Sequence, residues 1–344
     1  MEMSFRWYGH EDPVTLEHIR QIPDMKGIVS AIYDIPAGEV WPVEKIKELK
    51  QMIEKYELKL NVIESVPVHE DIKLGLDSRD KWIDNYKQTL RNLAEAGIHT
   101  VCYNFMPVFD WTRSQLDATL PDGSNSLLYD EAKVKDLDPL SGELALPGWD
   151  LSYQTDDLRR IIDQYQSISE QQLMDNLVYF LEQVIPVAEE EDVLLAIHPD
   201  DPPWPIFGLP RVVTNKENVQ YMLDKVDSKH NGITFCTGSY GANPANDLLE
   251  IIEAAKGRIH FVHARNVKWI GELSFQETSH SVNDGSIDMV AVLKKLREIG
   301  FAGPIRPDHG RMIWGEVGRP GYGLYDRALG ATYLNGILDT LARG

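Results

Sequence analysis

Residues 171–198 read QQLMDNLVYFLEQVIPVAEEEDVLLAIH. Leu173, Leu177, Phe180, Leu181, Val184 and Ile185 recur at three- and four-residue spacings, which predicts a helix with one apolar face. The period then gives way to a short apolar run, Val193-Leu194-Leu195-Ala196-Ile197, which predicts a strand ending at His198. The same unit recurs along the chain. Runs rich in β-branched or aromatic residues start near Phe5, Gly27, Leu60, Thr100, Val193, Ile233, Ile259 and Pro304. Amphipathic stretches lie between them. Pro42 to Tyr56 puts Val43, Ile46, Leu49, Met52 and Ile53 on one face, with Pro42 where the first helical turn tolerates proline. Leu248, Leu249, Ile251 and Ile252 form another such stripe, as do Ile287, Val290, Leu293 and Leu296.

Strands alternating with helices predict parallel βαβ units and an α/β fold. Eight of them predict one closed (β/α)8 TIM barrel spanning residues 1–344, rather than an open doubly wound sheet. The Gly321–Gly323 stretch lacks a third glycine and a preceding strand, so it is not a dinucleotide fingerprint. One segment breaks the rhythm. Residues 107–168, after the fourth strand, show little periodicity and many Asp, Ser, Pro and Gly residues. They form a long insertion, to be read as a lid, a dimer element or a passive surface excursion.

The chain has 344 residues, and 34 Lys+Arg against 54 Asp+Glu leave a net charge of −20. That charge argues against nucleic acid and against an anionic membrane surface as partners. A hydrophobic fraction of 43% excludes a disordered or collagen-like chain. Two cysteines, Cys102 and Cys236, make no disulfide framework. The N-terminal residues lack the apolar run of a signal peptide, and no stretch is long enough to span a bilayer, so a cytoplasmic protein is expected. A homodimer is expected because symmetric dimers are the commonest oligomers.

In a β/α barrel, functional groups sit at the C-terminal ends of the strands. The fifth strand ends in His198, the sixth in Cys236; the seventh reaches His263 and then Arg265, and the eighth ends in Asp308-His309. Side chains two apart share a face. His198 therefore goes with Ala196, His263 with Phe261 and Arg265, and Asp308 with Arg306. His198, Cys236, His263 and Asp308 are then aimed at one volume, and imidazole, thiolate and carboxylate are ligands of first-row metals. Taken singly, a cysteine is most often a small buried hydrophobe, and a strand-end histidine a hydrogen-bonded structural residue. Four such groups on successive strands point to a metal. Cys102 has no such company and reads as packing. His99 falls at the bottom of its strand, and His260 has the wrong parity. His10, His18, His69, His230 and His280 read as loop or helix-surface residues.

Arg6 and Tyr8, Glu64, and Tyr103 and Asn104 end the first, third and fourth strands and face the same mouth. Arg265 and Arg306 suit a substrate carboxylate through their fork geometry, or else pair with the chain's own acids. Tyr322 and Tyr325, in a Gly/Pro-rich loop after the last strand, suit proton transfer or aromatic packing.

Longer strings carry a resemblance. Phe5-Arg6-Trp7-Tyr8-Gly9, Glu64-Ser65-Val66-Pro67-Val68-His69, Cys102-Tyr103-Asn104-Phe105-Met106-Pro107-Val108, Ala196-Ile197-His198-Pro199-Asp200-Asp201-Pro202-Pro203, Phe235-Cys236-Thr237-Gly238-Ser239, His263-Ala264-Arg265-Asn266 and Arg306-Pro307-Asp308-His309-Gly310-Arg311 run the length of the chain. Together they resemble the mannonate dehydratases of bacterial hexuronate degradation. The resemblance implies a xylose-isomerase-like barrel and a divalent metal, Mn2+ or Fe2+. Softness of the thiolate alone would favour Zn2+ or Fe2+. It also implies His198, Cys236, His263 and Asp308 as ligands, and an acid/base pair of His309 with Tyr322 or Tyr325. Arg6, Tyr8, Asn104, Arg265 and Arg306 are then the candidates for binding a small sugar acid. The implied reaction converts D-mannonate to 2-dehydro-3-deoxy-D-gluconate and water. The alternatives are a metal-dependent sugar isomerase or epimerase on the same barrel, and a non-catalytic sugar-acid sensor.

Overall fold

The computed structural model describes residues 1–139 and 155–343. Twelve strands are present among them: β1 (Glu2–Arg6), β2 (Gly27–Ser30), β3 (Lys59–Glu64), β4 (Thr100–Tyr103), β5 (Gln115–Thr119), β6 (Asn125–Tyr129), β7 (Leu194–Ile197), β8 (Asn231–Cys236), β9 (Ile259–Ala264), β10 (Val267–Gly271), β11 (Ser274–Glu277) and β12 (Pro304–Pro307). The eight expected strands close into a parallel barrel in the order β1-β12-β9-β8-β7-β4-β3-β2. No described helix is long and apolar enough to cross a membrane.

Alternation, interrupted by register shifts between β2 and β3 and between β8 and β9, sorts the barrel's side chains. Leu195, Ile197, Ile233, Phe235, Val262 and Ile305 join the outer core between strands and helices. Val29, Val62, Cys102, Ala196 and Phe261 form a separate layer inside the barrel. The next residue of the same parity on these strands projects into the mouth above that layer, so the layer is the floor of the site. Cys102 belongs to this floor, where its sulfur accepts from Thr234 Oγ1 at 3.2 Å. Tyr103 has the opposite parity. Its ring lies among the helices against Tyr86 and Phe180, and it does not face the mouth as expected.

The remaining four strands were not anticipated. They form an antiparallel sheet in the order β10-β11-β6-β5. β5 and β6 come from the insertion, and Pro121-Asp122-Gly123 turns between them with Gly123 at φ +84°. β10 and β11 follow barrel strand β9 directly. These strands are four or five residues long and partly exposed, so their periodicity is weak and pairing, not composition, defines them. The rest of the insertion includes a short helix, Glu131–Lys135, and a longer one, Thr155–Tyr165; residues 140–154 lie outside the described residues. His230 and His280, expected on the surface, are buried at 4% and 2% exposure.

Candidate active site

The four strand-end groups converge. Ligating atoms of His198, Cys236 and His263 all lie within 4.8 Å of one another. His198 Nε2 is 3.1 Å from His263 Nδ1, and Asp308 Oδ2 is 3.6 Å from Cys236 Sγ and 3.8 Å from His263 Nδ1. For bonds of roughly 2.0–2.3 Å, tetrahedral neighbours around one ion stand about 3.3–3.6 Å apart, so the donor spacing suits a single divalent cation.

The outer nitrogens sharpen the point. His198 Nδ1 lies 2.7 Å from the Pro199 carbonyl, and His263 Nε2 lies 3.2 Å from Glu64 Oε2. His198 Nδ1 thus donates to the Pro199 carbonyl and His263 Nε2 is paired with the Glu64 carboxylate, which turns the other nitrogen of each ring toward its neighbour, where two lone pairs would face each other. That arrangement is repulsive until a cation or a shared proton stands between them, and it matches the outer support metal-binding histidines receive. Burial, the largest single effect, opposes ionisation of Cys236, and Asp308 adds to it, but Arg265, His198 and His263 together outweigh them and hold the thiol well below its ordinary value. Ser239 adds its backbone N–H at 3.4 Å and its hydroxyl at 3.1 Å to the sulfur. Burial likewise opposes the Asp308 carboxylate, and Arg306, His309, His263 and Arg265 overcome it. The donor set therefore carries the charge a divalent ion needs.

Beside this cluster, His309 Nε2 sits 2.9 Å from the Tyr322 hydroxyl. Both residues are buried, and the strand has ended at Pro307, which frees His309 to turn inward despite its parity. Burial pushes the Tyr322 phenol well above its usual range, with Tyr8 adding to the shift and Arg306 opposing it. Trp111, from the insertion, packs its ring 4.6 Å from His309. The other face of His309 meets Glu277, whose two oxygens lie 2.8 and 3.0 Å from Nδ1.

A cavity of about 150 Å³ joins these groups; Arg6, Tyr8, Asn104, Arg306, Asp308, His309 and Tyr322 line it, with Trp111 and Arg319. Arg265 does not line it. Its guanidinium is consumed by Asp201, Glu277 and, at 2.9 Å, Asp308. Arg306 reaches the cavity while paired to Glu64 at 2.9 Å and Asp308 at 2.7 Å. Tyr325 is not brought to the site: it opens the last helix, is 43% exposed and packs on Trp314. Sequence reasoning missed Trp111, Arg113, Glu277 and Arg319. Only tertiary pairing of the second sheet brings Arg113 and Glu277 together, so no local signal marks them.

A family model described as D-mannonate dehydratase (UxuA) matches residues 1–344. The chain belongs to this family. Mannonate dehydratase 2 of Halalkalibacterium halodurans is 62% identical over 344 residues, covering 99% of this chain and 100% of the relative. Mannonate dehydratase of Streptococcus uberis is 59% identical over 345 residues, covering 100% and 99%. The crystal structure of mannonate dehydratase from Streptococcus suis serotype 2 superimposes with a TM-score of 0.93 at 53% identity, covering 100% of this chain and 95% of that one. A xylose isomerase domain protein from Planctomyces limnophilus, 12% identical with a TM-score of 0.56 and covering 100% of this chain and 99% of that one, shares the barrel fold. The xylose-isomerase-like architecture expected of the family is thus present.

Proposed function

We propose that the cavity dehydrates D-mannonate, the reaction of the family to which the chain belongs, with His309 as base and Tyr322 as acid. The chemical problem is twofold. A proton must leave C2 beside an already charged carboxylate, and hydroxide, a poor leaving group, must leave C3. A divalent metal held by His198, Cys236, His263 and Asp308, for which we favour Mn2+ or Fe2+, supplies Lewis acidity toward the charge that develops at the carboxylate end.

His309 Nε2 takes the C2 proton, and the C–H electron pair becomes the C2–C3 double bond. The C3–O bond breaks with its pair on oxygen, and the Tyr322 hydroxyl supplies the proton that turns the departing hydroxide into water. A phenol held above its ordinary pKa keeps its proton until then, which favours Tyr322 as the donor. Proton transfer from His309 back to Tyr322 across their 2.9 Å contact restores both groups. The enol then tautomerises to the 2-keto acid. Arg6, Tyr8, Asn104 and Arg306 line the cavity and bind the sugar acid in this reading, while Arg265 supports the site from behind. A cytoplasmic location and a homodimer complete the proposal.

The observation that carries it is the His309–Tyr322 pair, which lines one cavity with the candidate metal ligands His198 and Asp308, in a chain matched by the family along its whole length. Epimerase and isomerase readings draw on neighbours of 12–14% identity, which share the fold alone. His309→Asn and Tyr322→Phe should each keep the metal and lower kcat by about 10²–10⁴-fold. Near-normal turnover by either variant would remove that residue from its role.

A further inference from the structure

The His309 ring has two nitrogens, and the reaction as read above uses only Nε2. The surroundings of Nδ1 come from outside the barrel. Glu277 ends β11, the strand that pairs with β6 of the insertion through Phe275 opposite Tyr129 and Gln276 opposite Leu128. Side chains two apart share a face. Phe275 stacks on Tyr129 with ring planes 9° apart and meets Trp204, so its face points into the protein. Glu277 follows on that face and enters the barrel mouth, while Gln276 points the other way. A one-residue slip of this register would offer His309 an amide instead of a carboxylate.

Glu277 is 1% exposed and firmly held. Arg113, just before β5, donates to it from Nε at 3.1 Å and from a terminal nitrogen at 2.6 Å. The same guanidinium grips both oxygens of Asp201 at 2.9 and 3.1 Å. Arg265 completes the enclosure. Arg265 also approaches His309 Nδ1, at 3.4 Å, against 2.8 and 3.0 Å for the carboxylate oxygens. A lone pair on Nδ1 would face those oxygens and repel them, so Nδ1 carries the proton and donates it to Glu277. The basic lone pair is then on Nε2, beside Tyr322.

We propose that Glu277 is the positioning residue of the acid/base pair: it fixes the His309 tautomer and steadies the imidazolium formed when Nε2 takes a proton. Arg113 is the clamp that holds Glu277 in place. The small sheet built from the insertion and the β10–β11 hairpin is therefore part of the catalytic apparatus, because it carries the carboxylate that a bare barrel lacks. This inference rests on the assignment of His309 as the proton-transfer group. The logic is that of a buried carboxylate behind a catalytic histidine, where replacing the carboxylate by its amide leaves geometry intact but favours the wrong tautomer.

The test uses the metal-loaded enzyme and D-mannonate. Glu277→Gln should lower kcat by about 10²–10⁴-fold, with KM shifted less than about threefold and metal content unchanged. Glu277→Asp, which keeps the charge, should recover part of the loss. A merely structural Glu277 would instead lower metal content or folded fraction, and Asp would rescue no better than Gln. The tautomer is read separately in wild-type protein by 15N-histidine NMR with zinc in the site, with His309→Asn identifying the signal. Protonated Nδ1 is expected, and this readout decides even where Glu277→Gln does not fold. Nε2–H in wild type, or near-normal kcat in Glu277→Gln, overturns the inference. If His309→Asn itself retains turnover, the assignment beneath it has failed instead.

Discussion

Gly238→Ala sets two effects of opposite sign against each other. Gly238 lies in the short helix Thr237–Gly241 that follows β8, and its φ is not among the positive ones. Helix propensity alone makes alanine better there by about 1 kcal/mol. Space forbids it. A Cβ at this position would stand 2.3 Å from Arg265 Nε and 2.6 Å from its Cγ and Cζ. Ordinary heavy-atom contacts need about 3.5 Å, so the Arg265 side chain must retreat by roughly 1 Å. It has nowhere to go, being 1% exposed and tied to Asp201, Glu277, Asp308 and the Ser239 hydroxyl. Breaking a buried pair costs about 3–5 kcal/mol, which leaves a net loss of about 2–4 kcal/mol. An unfolding entropy of about 2.1 cal/mol/K per residue then lowers Tm by about 3–6 °C. Arg265 also favours ionisation of the Cys236 thiol, so metal affinity should fall with it. Calorimetry and metal analysis on the same preparations check both. A Tm that is unchanged or raised, with full metal content, would show that the Arg265 network is not locked as described.

Tyr322→Phe should cost turnover while Tyr325→Phe leaves it within about twofold, since Tyr325 packs on Trp314 at the surface; steady-state kinetics on the pair decides. Cys236→Ser should reduce bound metal at a fixed free-metal concentration, read by elemental analysis of the dialysed protein, and unchanged occupancy would take the sulfur out of the ligand set. At the bottom of the barrel, burial, reinforced by Arg258 and His230, holds the His260 imidazole at about 4 against its usual 6.5. Between those values the unfolded chain binds a proton that the folded chain does not, so stability falls as pH drops from 6.5 to 4. The whole shift is worth up to about 3 kcal/mol. His260→Leu should flatten that part of the stability–pH curve in denaturant titrations, and a wild-type curve already flat there would contradict it.

The barrel was legible because its strands are buried on both faces and its helices carry clear stripes. The candidate ligands were legible because barrel geometry makes the strand end and its parity informative. Parity also explains the misplacement of Tyr103, and strand length explains why His309 reaches the mouth. Cys102 and Asn104 share the inner face, which turns Tyr103 outward; His309 escapes its parity because β12 stops at Pro307. Arg265 was assigned the correct face, but a sequence does not show that Asp201, Glu277 and Asp308 claim its guanidinium. Glu277 was invisible for a deeper reason. Ser274–Glu277 is a four-residue strand whose direction is set by a partner about 150 residues earlier in the chain. Non-local pairing of short strands leaves almost no local trace.

The central claim is that this cavity removes water from D-mannonate with a metal in the His198–Cys236–His263–Asp308 cluster. Metal-stripped protein should be assayed with D-mannonate after adding back Mn2+, Fe2+, Zn2+ or Mg2+, following 2-dehydro-3-deoxy-D-gluconate. The account predicts no product from stripped protein and restored turnover with Mn2+ or Fe2+. Full turnover without metal, or metal binding with no product under any ion, would contradict it.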